Sequence, residues 1–229
     1  MAKPFDIEIY IGLPKELFYR APPVAILENP DIEEIMKGYV GDPAIFQIVC
    51  DSFVEYKSLL AMNNPYVREL PMGSGNGHGT VAALAKFHGI LANGGVYNGK
   101  RLLSEEAIRR QLQLKSYGKD VVYNMEYMYS FGTMLFPSAD ENKPAEFSFG
   151  HNGLGGQIAL VDPTHKIGFA YGTNHLNLIE TDTEGKDTRW QDLNAALYEC
   201  VYKIKNISAK RKLFCFYDEL KAHQDSLTS

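Results

Sequence analysis

The sequence predicts an α+β fold: helices first, antiparallel strands next, and one long helix closing the chain. Three observations carry this. Between residues 42 and 115, apolar residues recur at three- and four-residue intervals, the period of a helix with one buried face. From residue 126 the texture changes to β-rich runs, "EYMYSFGTMLF" (126–136), "GQIALVD" (156–162) and "KIGFAYGTN" (166–174). The link "DPTHK" between the last two is too short for anything but an antiparallel hairpin. Helical periodicity then returns over 187–204. Blocks of helix and strand in succession are the mark of α+β rather than of alternating βαβ units.

Taken in order, "DIEIYIG" (6–12) alternates apolar and polar residues as a half-buried strand does. "LPKELFYR" follows as a short helix with Pro14 in its first turn. The proline-rich "APPVAILENPD" reads as a loop. Asp42 and Pro43 are placed as N-cap and first residue of a helix whose face is Ile45, Val49, Phe53, Tyr56 and Leu60. "NNP" (63–65) is expected to stop it, and "PMGSGNGHG" to form a polar loop leading to Thr80. The next helix runs to about Asn93, with Val81, Leu84, His88 and Leu91 on one face. Gly94 and Gly95 can supply its left-handed C-terminal residue. Asn98-Gly99 signals a two-residue hairpin turn. Ser104 caps another helix, with Glu105 and Glu106 in its first turn and Leu103 and Ile108 spaced as a hydrophobic staple.

The final helix carries Trp190, Leu193, Leu197, Cys200, Val201 and Ile204 as one apolar stripe. Three strands make a thin sheet, and that stripe could cover more sheet than three strands provide. Residues 1–205 are read as one domain, mainly helical over 42–115, with strands and the closing helix over 126–205. Residues 206–229 form a C-terminal tail containing the basic run "KRK" (210–212).

Composition narrows the function. The 229 residues are 45% hydrophobic and 22% charged, the range of a globular protein with a core. A net charge of -5 argues against a nucleic-acid binder, which needs a basic surface. No run of about 18 apolar residues exists for a membrane span. The opening "MAKPFDIEIY" has no apolar signal region, which points to the cytoplasm. Cys50, Cys200 and Cys215 are too scattered for a disulfide framework or a zinc site. His78, His88, His165, His175 and His223 show no metal-ligand spacing, so neither metal nor cofactor is expected. His88 is read as a core histidine and Asp162 as turn chemistry.

The richest stretch is "FGHNGLGGQIALVDPTHKIGFAYGTNH" (149–175), a histidine beside a glycine cluster in a loop suited to hold something close to bare backbone. A phosphate cradle is not supported, because no Lys-Ser/Thr follows the glycines and no strand–loop–helix unit surrounds them. Together with "IGLPKEL" (11–17), "GHGTVAALAKFHGILANGG" (77–95) and "LLSEEAI" (102–108), in that order, it resembles the serine β-lactamase-related family: class C β-lactamases, penicillin-binding proteins and esterases of the same fold. The resemblance runs from about residue 6 to about residue 204 and corresponds to roughly the C-terminal half of a complete member.

What the resemblance implies is a β-lactamase/transpeptidase-like fold, an antiparallel sheet flanked by helices, lacking its N-terminal part. It also implies hydrolysis of an ester, amide or β-lactam through an acyl-enzyme. His151-Asn152-Gly153 stands where the family has Lys-Thr-Gly or His-x-Gly on a strand edging the active site. On that basis the N–H of Leu154 forms half of an oxyanion hole, Gly155 and Gly156 keep the wall bare, and His151 orients the substrate or a hydroxyl.

The family's nucleophile is the serine of Ser-x-x-Lys at the head of a helix. The one match is Ser116-Tyr117-Gly118-Lys119, and eleven serines and sixteen lysines predict about one by chance. It follows a helix rather than starting one, and Gly118 disfavours helix, so Ser116 and Lys119 are weak candidates. Ser74-Gly75-Asn76 formally matches the second motif but reads as capping and turn formation. Gly79-Thr80-Val81-Ala82 also departs from the family's frequent Gly-Thr-Ala-Arg.

Two functions follow. One is the C-terminal part of a serine hydrolase, inactive alone and taking its small-molecule substrate once an N-terminal half completes it. The other is a non-catalytic ligand-binding or assembly module that pairs, as a homo- or hetero-oligomer, through an open sheet edge. An incomplete gene product without a role of its own is a third reading.

Overall fold

The structure is a computed structural model, and it describes residues 2–26, 41–52, 59–122, 126–137, 147–177 and 189–208. The expected helix positions Phe53 and Tyr56, the basic run 210–212, Cys215 and His223 lie outside the described residues.

A helical turn, α1 (Ala2–Phe5), leads into β1 (Ile9–Ile11). A 3-10 helix over Lys15–Arg20 follows, capped by Pro14 in extended conformation rather than containing it. β2 (Ala25–Ile26) lies inside the expected loop. α2 (Pro43–Ser52) starts as predicted, with Asp42 Oδ1 accepting from the N–H groups of Ala44 and Ile45. After a 3-10 turn over Leu59–Asn63 comes α3 (Pro65–Glu69). "NNP" therefore starts a helix as well as ending a segment. Asn64 is the N-cap, its side chain accepting from Tyr66 N–H, and Pro65 takes the first position, where its missing N–H costs nothing.

Part of the expected polar loop is β3 (Gly77–Gly79), paired antiparallel with β1. α4 (Val81–Ala92) begins at Thr80, which accepts from Ala83 N–H. Its buried residues are Ala83, Ile90, Leu91 and Ala92, whereas Val81 is exposed. The turn of β4 (Val96–Tyr97) and β5 (Lys100–Arg101) is Asn98-Gly99, both at positive φ. Ser104 caps α5 (Glu105–Arg110) through Ala107 N–H.

The sheet is larger than the expected three strands. It has six, β6 (Ser116–Lys119), β7 (Glu126–Tyr129), β8 (Met134–Pro137), β9 (Phe147–Gly153), β10 (Gln157–Asp162) and β11 (Ile167–Tyr171), in spatial order β11-β10-β9-β8-β7-β6, each pair antiparallel. The expected single strand 126–136 is two strands. Gly132 at φ +77 reverses the chain between them, with Ser130 N–H donating to Thr133 O. At the head of the glycine-histidine stretch, residues 149–153 are the end of β9 rather than loop, and 154–156 form the turn to β10. Gly118 does not break β6, because an edge strand tolerates it. The thin-sheet expectation is thus corrected. β12 (His175–Leu176) pairs parallel with β2.

Helices cover both faces. Leu91 and Ala92 of α4 and Ile108 of α5 pack with Met128, Leu135, Phe149 and Val161. On the other face, Trp190 of α6 (Arg189–Lys205) packs with Met134, Phe136, Ile158 and Leu160. β10 is buried almost end to end, as befits a central strand covered twice. α4 comes very close to β11: a β-carbon on Gly168 would lie 2.0 Å from the Gly89 nitrogen.

α6 is rotated from the expected stripe. Its buried line is Trp190, Asn194, Tyr198 and Tyr202, four residues apart. Leu193, Cys200 and Ile204 face solvent. Aromatic rings with polar tips, not aliphatic side chains, fill the inner face, because Tyr198 reaches a buried carboxylate at the β10–β11 turn.

Candidate functional site

β9 carries the candidate wall. Ser148, Phe149 and Gly150 are buried, and His151 is the first residue to emerge from the core. Gly150 has to be glycine, since a β-carbon there would meet the Ala159 carbonyl oxygen at 2.0 Å. His151 lies opposite Ala159, Asn152 opposite Ile158 and Gly153 opposite Gln157. His151 Nδ1 bonds to the Asn152 carbonyl oxygen. A carbonyl only accepts, so Nδ1 is the donor, and in the Nδ1–H tautomer Nε2 is an acceptor.

The chain then turns through Leu154, Gly155 and Gly156, the two glycines at φ +83 and +89. Leu154 is 45% exposed, and among the described residues no turn, loop or cap hydrogen bond uses its N–H. The turn is held from behind. Arg189 Nη2 donates to Gly155 O at 3.4 Å and Nη1 to His175 O at 3.2 Å. Leu176 lies against Gly155. Gln157 locks the β10 start to Thr173, its Nε2 donating to Thr173 O at 2.9 Å and its Oε1 accepting from Thr173 N–H at 3.2 Å. Asn174 Nδ2 ties this loop to Pro23 O, beside the β2–β12 pair.

The sequence singles out His151 through Gly156, which the structure places together at the end of β9 and in the turn after it; Arg189, Leu176 and Gln157, which hold that turn, were not singled out. Nothing in residue spacing brings position 189 to a turn 34 residues earlier. Gln157 follows the glycine cluster and could have been picked as the turn's closing residue.

Ser116 and Lys119 are not brought together. Both lie on β6, where residues three apart point to opposite faces and stand about 10 Å apart along the strand. Ser116 pairs with Tyr129, Tyr129 with Met134 and Met134 with Gly150, so it sits three strands, roughly 14 Å, from the candidate wall. In Ser74-Gly75-Asn76, Asn76 is buried and its Nδ2 donates to the carbonyls of Val67 at 2.7 Å and Leu70 at 2.5 Å. It is a turn former.

Two further polar groups are structural. Asp162 Oδ1 accepts from His165 N–H at 3.0 Å, and Oδ2 meets His165 Nδ1 at 2.8 Å and the Tyr198 hydroxyl. The turn role read for Asp162 is present, and Tyr198 extends it to α6. His88 is largely buried, with Nδ1 donating to Leu84 O at 2.8 Å, and burial holds its pKa below the ordinary value. Among the described residues no group of three or more His, Cys, Asp or Glu is placed to hold a metal ion. No described helix is long and apolar enough to cross a membrane.

Known proteins are similar to this chain in sequence and fold. A family model described as Beta-lactamase matches residues 22–194. The chain is 32% identical over 125 residues to esterase/beta-lactamase LipL of Mycobacterium tuberculosis (strain ATCC 25618 / H37Rv), covering 51% of this chain and 27% of LipL. Among solved structures, a penicillin-binding protein homolog from Caulobacter crescentus is 26% identical with a TM-score of 0.53, covering 78% of this chain and 46% of its own. EstA from Arthrobacter nitroguajacolicus Rue61a superposes with a TM-score of 0.68 at 20% identity, covering 89% and 52%. A family VIII carboxylesterase gives 0.62 at 23%, covering 86% and 47%. With six strands between α4 and α5 on one face and α6 on the other, and with this match, the chain belongs to the β-lactamase family. It spans 27% of LipL and about half of each solved relative.

Proposed function

We propose that this chain supplies one wall of an acyl-transfer site for an ester, amide or β-lactam, and that it does not turn over substrate alone. The observation that carries the reading is β9 ending in His151-Asn152-Gly153, followed by a turn with two positive-φ glycines in which, among the described residues, the Leu154 N–H makes no turn, loop or cap hydrogen bond. A preorganised donor aimed at a developing oxyanion is worth about 2.7–4 kcal/mol. His151 Nε2, as an acceptor, orients a hydroxyl of the substrate or of a neighbouring residue. Family membership supports the reaction class, and the esterase named among the relatives supports an ester as substrate.

The inactivity rests on the nucleophile. The chain's one Ser-x-x-Lys lies on an edge strand with its two side chains on opposite faces. In this reading the catalytic serine comes from the half of the fold that the chain does not match in its relatives. Loss of a nucleophile typically removes about 10⁶ in turnover. Intact-protein mass after treatment with a fluorophosphonate, and separately with a β-lactam, tests this on the folded 229-residue chain. No adduct is expected. A stoichiometric adduct abolished by Ser116→Ala would overturn the assignment of Ser116, and one that persists would place a nucleophile elsewhere in the chain.

A further inference from the structure

The turn after β9 does not choose its own conformation. Gly155 and Gly156 carry no β-carbon, and both sit at positive φ, which glycine adopts about as readily as negative φ. The Gly155–Gly156 peptide can therefore rotate about its flanking bonds at little cost, and rotation reverses the directions of its C=O and N–H. Leu176 lies beside Gly155, but an apolar contact does not select a peptide orientation.

Arg189 supplies the constraint. Its Nη2 donates to Gly155 O at 3.4 Å, its Nη1 donates to His175 O at 3.2 Å, and its guanidinium lies over the Tyr171 ring, 5.9 Å from the centroid. One planar fork thus ties the turn to β12. The fork is fixed along the sheet. Arg189 opens α6, and Trp190, the next residue, is buried against Met134, Phe136, Ile158 and Leu160. Further along α6, Tyr198 donates to Asp162 at the far end of β10. The helix is therefore fastened at both ends of the strand that the turn precedes.

The direction of the clamp follows from the faces of the sheet. Phe149 packs in the cluster of α4 and α5, and His151, two residues on along β9, shares that face. Arg189 draws the Gly155 carbonyl toward the opposite face, which α6 covers. A trans peptide points its C=O and N–H in opposite directions, so the Gly156 N–H is turned toward the His151 side. We propose that Arg189 is the positioning residue of this turn, holding the Gly155–Gly156 peptide in the orientation that sends main-chain N–H groups to the face of His151; this rests on the oxyanion reading of the turn. Lysine cannot replace it, because one ammonium does not span two carbonyls while stacked on Tyr171.

The test is 1H–15N NMR of the full 229-residue chain, wild type against Arg189→Ala and Arg189→Lys, with 15N relaxation dispersion at Leu154, Gly155 and Gly156. The wild type is expected to give one sharp resonance for each of the three and flat dispersion. In Arg189→Ala the three amides are expected to shift and to gain microsecond-to-millisecond exchange, while Ile158, Leu160 and Val161 inside β10 stay in place. Added methylguanidinium should return the turn resonances toward wild type, and Arg189→Lys should not restore them. Unmoved turn amides in Arg189→Ala, full restoration by lysine, or β10 amides that move in step with the turn overturn the proposal, the last because the arginine would then only hold α6 on the sheet. Phenylphosphonate, a tetrahedral oxyanion, separates the clamp from the reading beneath it. It is expected to shift the Leu154 amide of the wild type, and to shift it less in Arg189→Ala. An ordered, Arg189-dependent turn with no such shift in the wild type would overturn the oxyanion reading and leave the clamp standing.

Discussion

Leu176 lies so close to Gly155 that a β-carbon on the glycine would stand 2.6 Å from Leu176 Cδ2. β12, which carries Leu176, is itself held by β2 and by Arg189, so the leucine cannot retreat freely. The candidate oxyanion turn is therefore shaped from behind by an element that pattern reading left as chain after a strand. Gly155→Ala meets both the clash and a φ of +83. It is expected to cost about 2–3 kcal/mol and lower the Tm by roughly 5–10 °C in differential scanning calorimetry. An unchanged Tm would show that the turn relaxes independently of β12.

A second glycine separates steric from conformational cost. Gly168 has ordinary φ, but its β-carbon would come 2.0 Å from Gly89 N and 2.6 Å from Ala85 O, both helix backbone. Gly94 has φ +84 and open space around it. Gly168→Ala has to push α4 off β11 and is expected to cost more than Gly94→Ala, whose penalty is backbone strain of about 1 kcal/mol. Denaturant melts of the two variants rank them. Equal losses would mean that α4 slides over the sheet at little cost.

These contacts also explain what was and was not legible in the sequence. Caps and hairpin turns were readable because they depend on residues a few positions apart: Asp42, Thr80, Ser104 and Asn98-Gly99 all act where expected. The sheet was undercounted where strands violate the simple signal. β6 contains a glycine and lies at an edge, and β7 and β8 meet at a tight turn that leaves one continuous aromatic-rich run. The last helix misled because hydrophobicity alone chose Leu193 and Ile204 over Asn194, Tyr198 and Tyr202. The buried line is polar-tipped, since Tyr198 reaches the Asp162 carboxylate while Trp190 packs on the apolar face of the sheet. At the site, His151 through Gly156 form one continuous stretch and could be found as such. Arg189, Leu176 and Gln157 act across the fold and carry no local mark.

Asp162 joins three elements with one carboxylate: the β10 end, the following turn through His165, and α6 through Tyr198. All three residues are at most 8% exposed. Asp162→Ala leaves the His165 N–H, its ring nitrogen and the Tyr198 hydroxyl to find new acceptors. The expected loss is on the order of 3 kcal/mol, the scale of removing one partner from a buried polar pair. Tyr198→Phe removes one donor and keeps the ring, and is expected to cost about 1 kcal/mol. Chemical denaturation of the two variants checks the ratio. Comparable losses would mean that the Tyr198 bond, not the turn, dominates.

His88 sets the pH response. Burial, its largest influence, lowers its pKa from the ordinary value of 6.5, partly offset by the bond to Leu84 O. The neutral ring donates from Nδ1 and packs edge-on to Phe87. Above the unfolded pKa both states hold the ring neutral, and the stability is undiminished. As the pH falls below 6.5, the unfolded chain takes up a proton that the folded one refuses, so stability is lost until the folded pKa is reached. His78, half-buried at β3, shifts in the same direction and adds to the slope. Melting temperature between pH 7.5 and 5 is therefore expected to fall in the wild type. His88→Gln keeps a side-chain donor but cannot titrate, and is expected to flatten that fall while His78 sustains the remainder. A slope unchanged in His88→Gln would assign the whole response to His78 and to residues outside α4.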